Sequence, residues 1–125
     1  MSLKLMPQEV EVWYLLPSLR KELAKCFIKD HKLSQKDAAE ILGVTESAIS
    51  QYFKSKRANE LKFSISELEE IKKCADKIIN DRKNLRLYFY ELSKKMKGSN
   101  CMCKLHKKHD KNLPHDCSLC REYER

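Results

Sequence analysis

Residues Ser34 to Arg57 read SQKDAAEILGVTESAISQYFKSKR, and this stretch decides the fold. Ser34 is a good N-cap for a short helix over Gln35 to Leu42. Gly43 stops that helix, because only glycine enters the left-handed region without steric cost. Thr45 caps a second helix running to about Lys54. Two helices joined by so short a turn cross closely and need a small residue at the crossing, which Ala39 supplies. The inward positions must be apolar, and Ala38, Leu42, Val44, Ile49 and Tyr52 occupy them. That is the pattern of a helix-turn-helix, whose second helix enters the DNA major groove.

On this reading the second helix exposes Thr45, Glu46, Ser47, Ser50 and Gln51. Gln51 can make a bidentate contact to adenine, and Glu46 can accept from cytosine N4. Glu46 is equally a first-turn acid favoured by the helix dipole. Gln35 opens the preceding helix, where its amide can reach a phosphate. Lys54, Lys56 and Arg57 follow the second helix and suit backbone contacts.

Outward from this unit the sequence stays helical. Val10, Trp13, Tyr14 and Leu16 fall near helical spacing, and Pro17 is expected to interrupt. Leu19, Leu23, Cys26 and Phe27 form one face of a helix from Ser18 to His31. Ser64 and Ser66 compete to cap the next element, with Glu67 and Glu69 completing either capping box. Leu68, Ile71, Ala75, Ile78 and Ile79 follow at helical spacing, and Asn80-Asp81 mark a weak break. Leu85, Tyr88, Phe89, Leu92 and Met96 then form a second stripe, suited equally to self-packing and to a homodimer contact. Gly98, Ser99 and Asn100 end it.

Bulk composition agrees. The 125 residues are 42% hydrophobic and 35% charged, with two Gly and three Pro. The formal charge of +8 favours a polyanionic partner, nucleic acid first. No apolar run approaches the roughly 20 residues of a membrane span. No signal peptide is evident, so the chain is expected to be cytoplasmic.

The same residues resemble a known family. Leu16-Pro17-Ser18-Leu19-Arg20, Leu33-Ser34-Gln35, Leu42 to Thr45, Ser50-Gln51-Tyr52 and Lys56-Arg57 are similar to the Xre or Cro/CI-like helix-turn-helix. More narrowly, they look like a group of small archaeal predicted transcriptional regulators. The resemblance covers about residues 7 to 80, and such proteins tend to carry C-terminal cysteines. It departs from the pattern at Lys54-Ser55, where a Gly commonly ends the helix.

Four of the six cysteines lie near the C-terminus, as the pairs Cys101/Cys103 and Cys117/Cys120. Their segment has five scattered apolar residues, Met102, Leu105, Leu113, Leu119 and Tyr123, too few to order it by burial. In a reducing compartment such pairs point to metal more than to disulfides. The reading is one centre on Cys101, Cys103, Cys117 and Cys120, holding an iron–sulfur cluster, slightly favoured, or zinc. His106, His109 and His115 lie between the pairs and could replace a Cys, but with four Cys present they read as solvent-exposed or as lying behind the ligands. Cys26 and Cys74 fall on apolar helical faces and read as core.

The sequence therefore predicts an all-α protein. It is a five- or six-helix bundle containing a helix-turn-helix, with a small irregular four-Cys segment. Residues 1–65 would read DNA, 66–98 form a helical extension and 99–125 hold metal. The expected function is a sequence-specific regulator binding double-stranded DNA as a homodimer, the metal centre sensing redox or metal state. The alternative is an antitoxin-like or adaptor protein with a structural zinc site. No catalytic set, phosphate-binding Gly loop or small-molecule substrate site is evident, so an enzyme is not expected.

Overall fold

Pro17 does not break the first helix. In the computed structural model, which describes residues 4–97, 99–114, 117 and 120, the chain stays helical from Pro7 to Lys29. The segments are α1 (Pro7–Val10), a π-helical turn (Glu11–Leu15) and α2 (Leu16–Lys29). A proline inside an α-helix lacks its N–H and crowds the carbonyl four residues back. Here Leu16 N–H bonds to Glu11 O, five residues back, and this wider turn admits Pro17 at the second position of α2. The buried Ser18 hydroxyl lies 2.6 Å from Tyr14 O and 3.1 Å from Ala58 O, so it also ties α2 to a later element.

The remaining elements follow at short intervals: α3 (Gln35–Leu42), α4 (Glu46–Lys54), α5 (Lys56–Glu60), α6 (Ile65–Asn80), a 3-10 turn (Arg82–Asn84), α7 (Leu85–Met96) and α8 (Asn100–His109). No strand occurs among the described residues. The count exceeds the expected five or six because α1 and α5 are short additional helices.

Helix α2 is the spine, packing against α3, α4, α5 and α6. Leu19, Leu23, Ala24 and Phe27 on its buried face are fully enclosed. Their cluster runs without a break from Leu5 through Ile49, Ile71 and Ile78 to Leu105. Cys74 is buried in it and Cys26 packs against it, and burial pushes both thiols up to about 11.

One open alternative is decided and one expectation changes. Leu92 and Met96 are buried, and Leu85, Tyr88 and Phe89 pack against the same core, so the second stripe is consumed within the chain. The large apolar α7 side chains left to solvent are instead Leu87 and Tyr90, at 54% and 62% exposure. The segment expected to be irregular carries α8. Met102, Leu105, His106 and His109 lie at i, i+3, i+4 and i+7, a helical face, and the first three are buried. Leu119, Tyr123 and His115 lie outside the described residues.

Candidate nucleic-acid interface

The DNA-reading unit is built as its sequence demands. Ser34 Oγ accepts from Asp37 N–H at 3.1 Å, and Thr45 Oγ1 accepts from Ala48 N–H at 3.0 Å. Each cap satisfies one N–H of a first turn. Gly43 has φ +70° and ends α3. Its N–H bonds to Glu40 O, while Val44 N–H reaches Ala39 O. Ala38, Ala39, Leu42 and Ile49 are buried, and Val44 and Tyr52 pack against the core.

Outside that core Thr45, Glu46, Ser47 and Gln51 are exposed along one side and the leading end of α4. Lys54 and Lys56 are exposed just beyond it. Arg57 lies in α5, and its side chain is outside the described residues. Gln35 and Ser50 are half-buried and joined, Gln35 Nε2 donating to Ser50 Oγ at 2.8 Å. That bond locks the opening of α3 to the middle of α4 and fixes the angle at which α4 is presented.

The recognition helix ends without a glycine. Ser55 leaves the helix at φ −66°, ψ 132°, and its Oγ caps α5 at Ala58 N–H. Asn59 then reaches back, Nδ2 donating to Phe53 O at 3.3 Å and to Ser55 O at 2.6 Å. These are carbonyls that a helix end otherwise leaves open. Asn59 Oδ1 in turn accepts from Lys21 Nζ on α2, whose pKa burial lowers. The sequence reading missed Asn59, since no local motif marks an amide that returns from four residues downstream.

The tail is anchored to this unit. Glu60, the last residue of α5, accepts from His109 Nε2 at 2.7 Å and from Lys108 Nζ at 3.2 Å. Burial would raise the Glu60 pKa, but these two donors outweigh it and hold the carboxyl below its usual range. His109 also stacks on Tyr14, ring centroids 5.1 Å apart. Further along, His106 Nε2 donates to Leu5 O, and Asp110 Oδ2 accepts from Leu5 N–H at 3.1 Å. Helix α8 is thus clamped to the start of the chain on one side and to α5 on the other.

The cysteines divide. Cys101 and Cys103, two residues apart on α8, point about 200° apart around it. Cys101 Sγ donates to Glu67 Oε2 at 3.7 Å and lies 3.3 Å from Ser99 Oγ. Glu67 Oε1 is engaged in the Ser64 capping box, which settles the choice between Ser64 and Ser66. Cys103 and Cys117 are neighbours of Cys120, whose pKa is raised first by burial and then by these two thiols. A closed thiolate site needs four sulfurs around one point. Among the described residues no group of three or more Cys, His, Asp or Glu is set to hold a metal ion.

Residues 27–60 match the helix-turn-helix family model. The match is of the Xre/Cro-CI type and spans the end of α2 through α5. It supports binding of double-stranded DNA and a role in transcription regulation. No curated protein and no solved structure matches the chain. Among the described residues no helix is long and apolar enough to cross a membrane.

Proposed function

We propose that the protein is a sequence-specific transcription regulator that reads operator DNA with α4, acting in the cytoplasm and performing no catalysis. The observation that carries this is the presentation of α4. Its inner face is fixed by Ile49 and by the Gln35–Ser50 bond, while Thr45, Glu46, Ser47 and Gln51 stay open to solvent. Lys54, Lys56 and Arg57 follow at the exit, where phosphates flank a groove-bound helix. One helix reads few base pairs, so the protein acts as a homodimer on half-sites about 34–36 Å apart. Selection of binding sites from random duplexes tests the reading. Gln51→Ala should relax preference at one base pair, by about 1–3 kcal/mol. Lys56→Ala should weaken all duplexes alike and flatten the salt slope by about one. An unchanged site profile for Gln51→Ala would overturn the groove assignment.

The archaeal regulator group and its cysteine centre belong to the same proposal. An iron–sulfur cluster or zinc on Cys101, Cys103, Cys117 and Cys120 would require Cys101 to give up its contact with Glu67. Thiolate ligation releases protons and converts binding energy into tail order. Metal analysis after oxygen-free purification, on the parent and on Cys117→Ser/Cys120→Ser, tests this. Equal metal in both would remove the centre from the reading. The adaptor alternative, with the tail docking a protein, would be favoured by a loss of specific duplex binding at physiological salt.

A further inference from the structure

A cleft of about 690 Å³ opens at the far end of α3 from the Gln35–Ser50 bond. The separation along the eight-residue helix is about 12 Å. The cleft is walled by the start of α2, the Leu42–Gly43 turn, the 3-10 turn and α7. Its volume falls within the roughly 300–1,000 Å³ of small-molecule sites.

Its lining is unbalanced in charge. Arg20, Arg82, Lys83 and Arg86 face two carboxylates, Glu11 and Glu40. None of the ion pairs or side-chain hydrogen bonds among the described residues engages the guanidinium of Arg82 or Arg86. Arg20 has its guanidinium carbon 5.4 Å from the Phe89 ring centroid. Stacked in that way, a guanidinium still keeps its edge N–H groups for an anion. The C-terminal end of α3 adds about half a negative charge near Gly43, less than the excess of two positive charges from the side chains.

The other half of the lining is aromatic and aliphatic. Phe89 is half-buried and Tyr90 is largely exposed, with Leu85 and Ile41 beside them. An inorganic anion would use only the arginines. A ligand with a phosphate and a flat ring would use both halves, the guanidinium forks taking phosphate oxygens in pairs and an aromatic ring taking the planar face. Glu11 and Glu40 supply acceptors for an amino or hydroxyl group.

We infer that this cleft binds a nucleoside phosphate, its phosphate on Arg82 and Arg86 and its base against the exposed Tyr90. A ligand there touches the end of α3 and the face of α7 at once. Its binding does not rest on the DNA-binding reading, so the test omits DNA.

Calorimetric titration of the full chain with AMP, ATP and inorganic phosphate reads the affinity. At least one nucleotide should bind saturably at one per chain with Kd below about 1 mM, and inorganic phosphate about tenfold more weakly or worse. Arg82→Gln/Arg86→Gln should weaken the nucleotide by about tenfold or more. Tyr90→Ala, at an exposed position that leaves the fold intact, should weaken the nucleotide and not phosphate. Amide shifts in a nitrogen–proton spectrum should centre on Leu42, Gly43 and Phe89. No saturable nucleotide binding, unchanged affinity in the double variant, or shifts centred on Gln51 and Lys56 would each overturn the site.

Discussion

The α3–α4 pair and α8 are both short helices on one core, yet they are held in place by different means. The pair is fixed by local rules. Caps lie three residues from the N–H groups they satisfy, and Gly43 sits in the turn it makes possible. Helix α8 is fixed by distant partners: Leu5 lies 101 and 105 residues from the side chains that grip it, and Glu60 lies 48 and 49 away. Local devices act as soon as the helix forms. Remote ones act only once the core exists, so α8 should open separately and more cheaply.

The largest test of that contrast is Phe27→Ala. Phe27 is fully buried on the spine helix against which both α3 and α4 pack. Its truncation should cost about 3–5 kcal/mol and unfold everything in one transition. Calorimetry reads this as a single broad fall in melting temperature. A drop confined to α8 protection would break the picture of α2 as the shared spine.

Leu105→Ala should be smaller and more local. Leu105 is buried, but it sits on the helix held by remote contacts. A loss of about 2 kcal/mol, at the low end for Leu→Ala, should fall mostly on α8. Hydrogen exchange should then rise across residues 101–109 while Ile49 and its neighbours keep their protection. Equal loss in both regions would show that α8 folds as one unit with the DNA-reading pair.

That difference also explains what could be read beforehand. The caps, the Gly43 turn, the inward apolar set and the all-helical class each rest on spacings within four residues, and all were legible. The exit of α4 was not, because Asn59 replaces the usual glycine through bonds back to Phe53 and Ser55. Helix α8 was half legible. The spacing of Met102, Leu105, His106 and His109 was present, but the few apolar residues of the segment pointed to irregular chain. What it packs against, Leu5 and Tyr14, leaves no local trace at all. Pro17 misled for the opposite reason: a π-helical turn relieved the local rule against it.

Gly43→Ala sharpens the comparison at about 1 kcal/mol. A Cβ at Gly43 meets nothing within 4 Å, so the cost is the strain of φ +70° alone. A stability loss well above that, measured by denaturant midpoint at constant slope, would mean that the α3–α4 turn is held by packing as well. A loss near zero would mean that the turn relaxes to another cap. Either outcome weakens the claim that local geometry sets this pair.

The smallest effect should be a pH response confined to α8. Glu60 is the carboxylate that receives both His109 and Lys108, and its pKa lies below the usual range despite the opposing effect of burial. A depressed carboxyl binds fewer protons folded than unfolded at intermediate pH. Its stabilisation is therefore fully present above the unfolded value, about 4.3, and fades as pH falls through the lower folded value. As pH falls below about 4.3 the contribution from Glu60 should decline, and α8 should release from α5 before the α3–α4 pair responds. Protection factors for residues 101–109, corrected for intrinsic exchange, read this directly. Glu60→Gln keeps the size and an acceptor but has no proton to gain, so it should flatten the acid response of α8 while lowering its protection at neutral pH. An acid response of α8 equal in parent and variant would show that the Glu60 carboxylate does not carry it, and would remove the α5 end of the clamp as the pH-sensitive one.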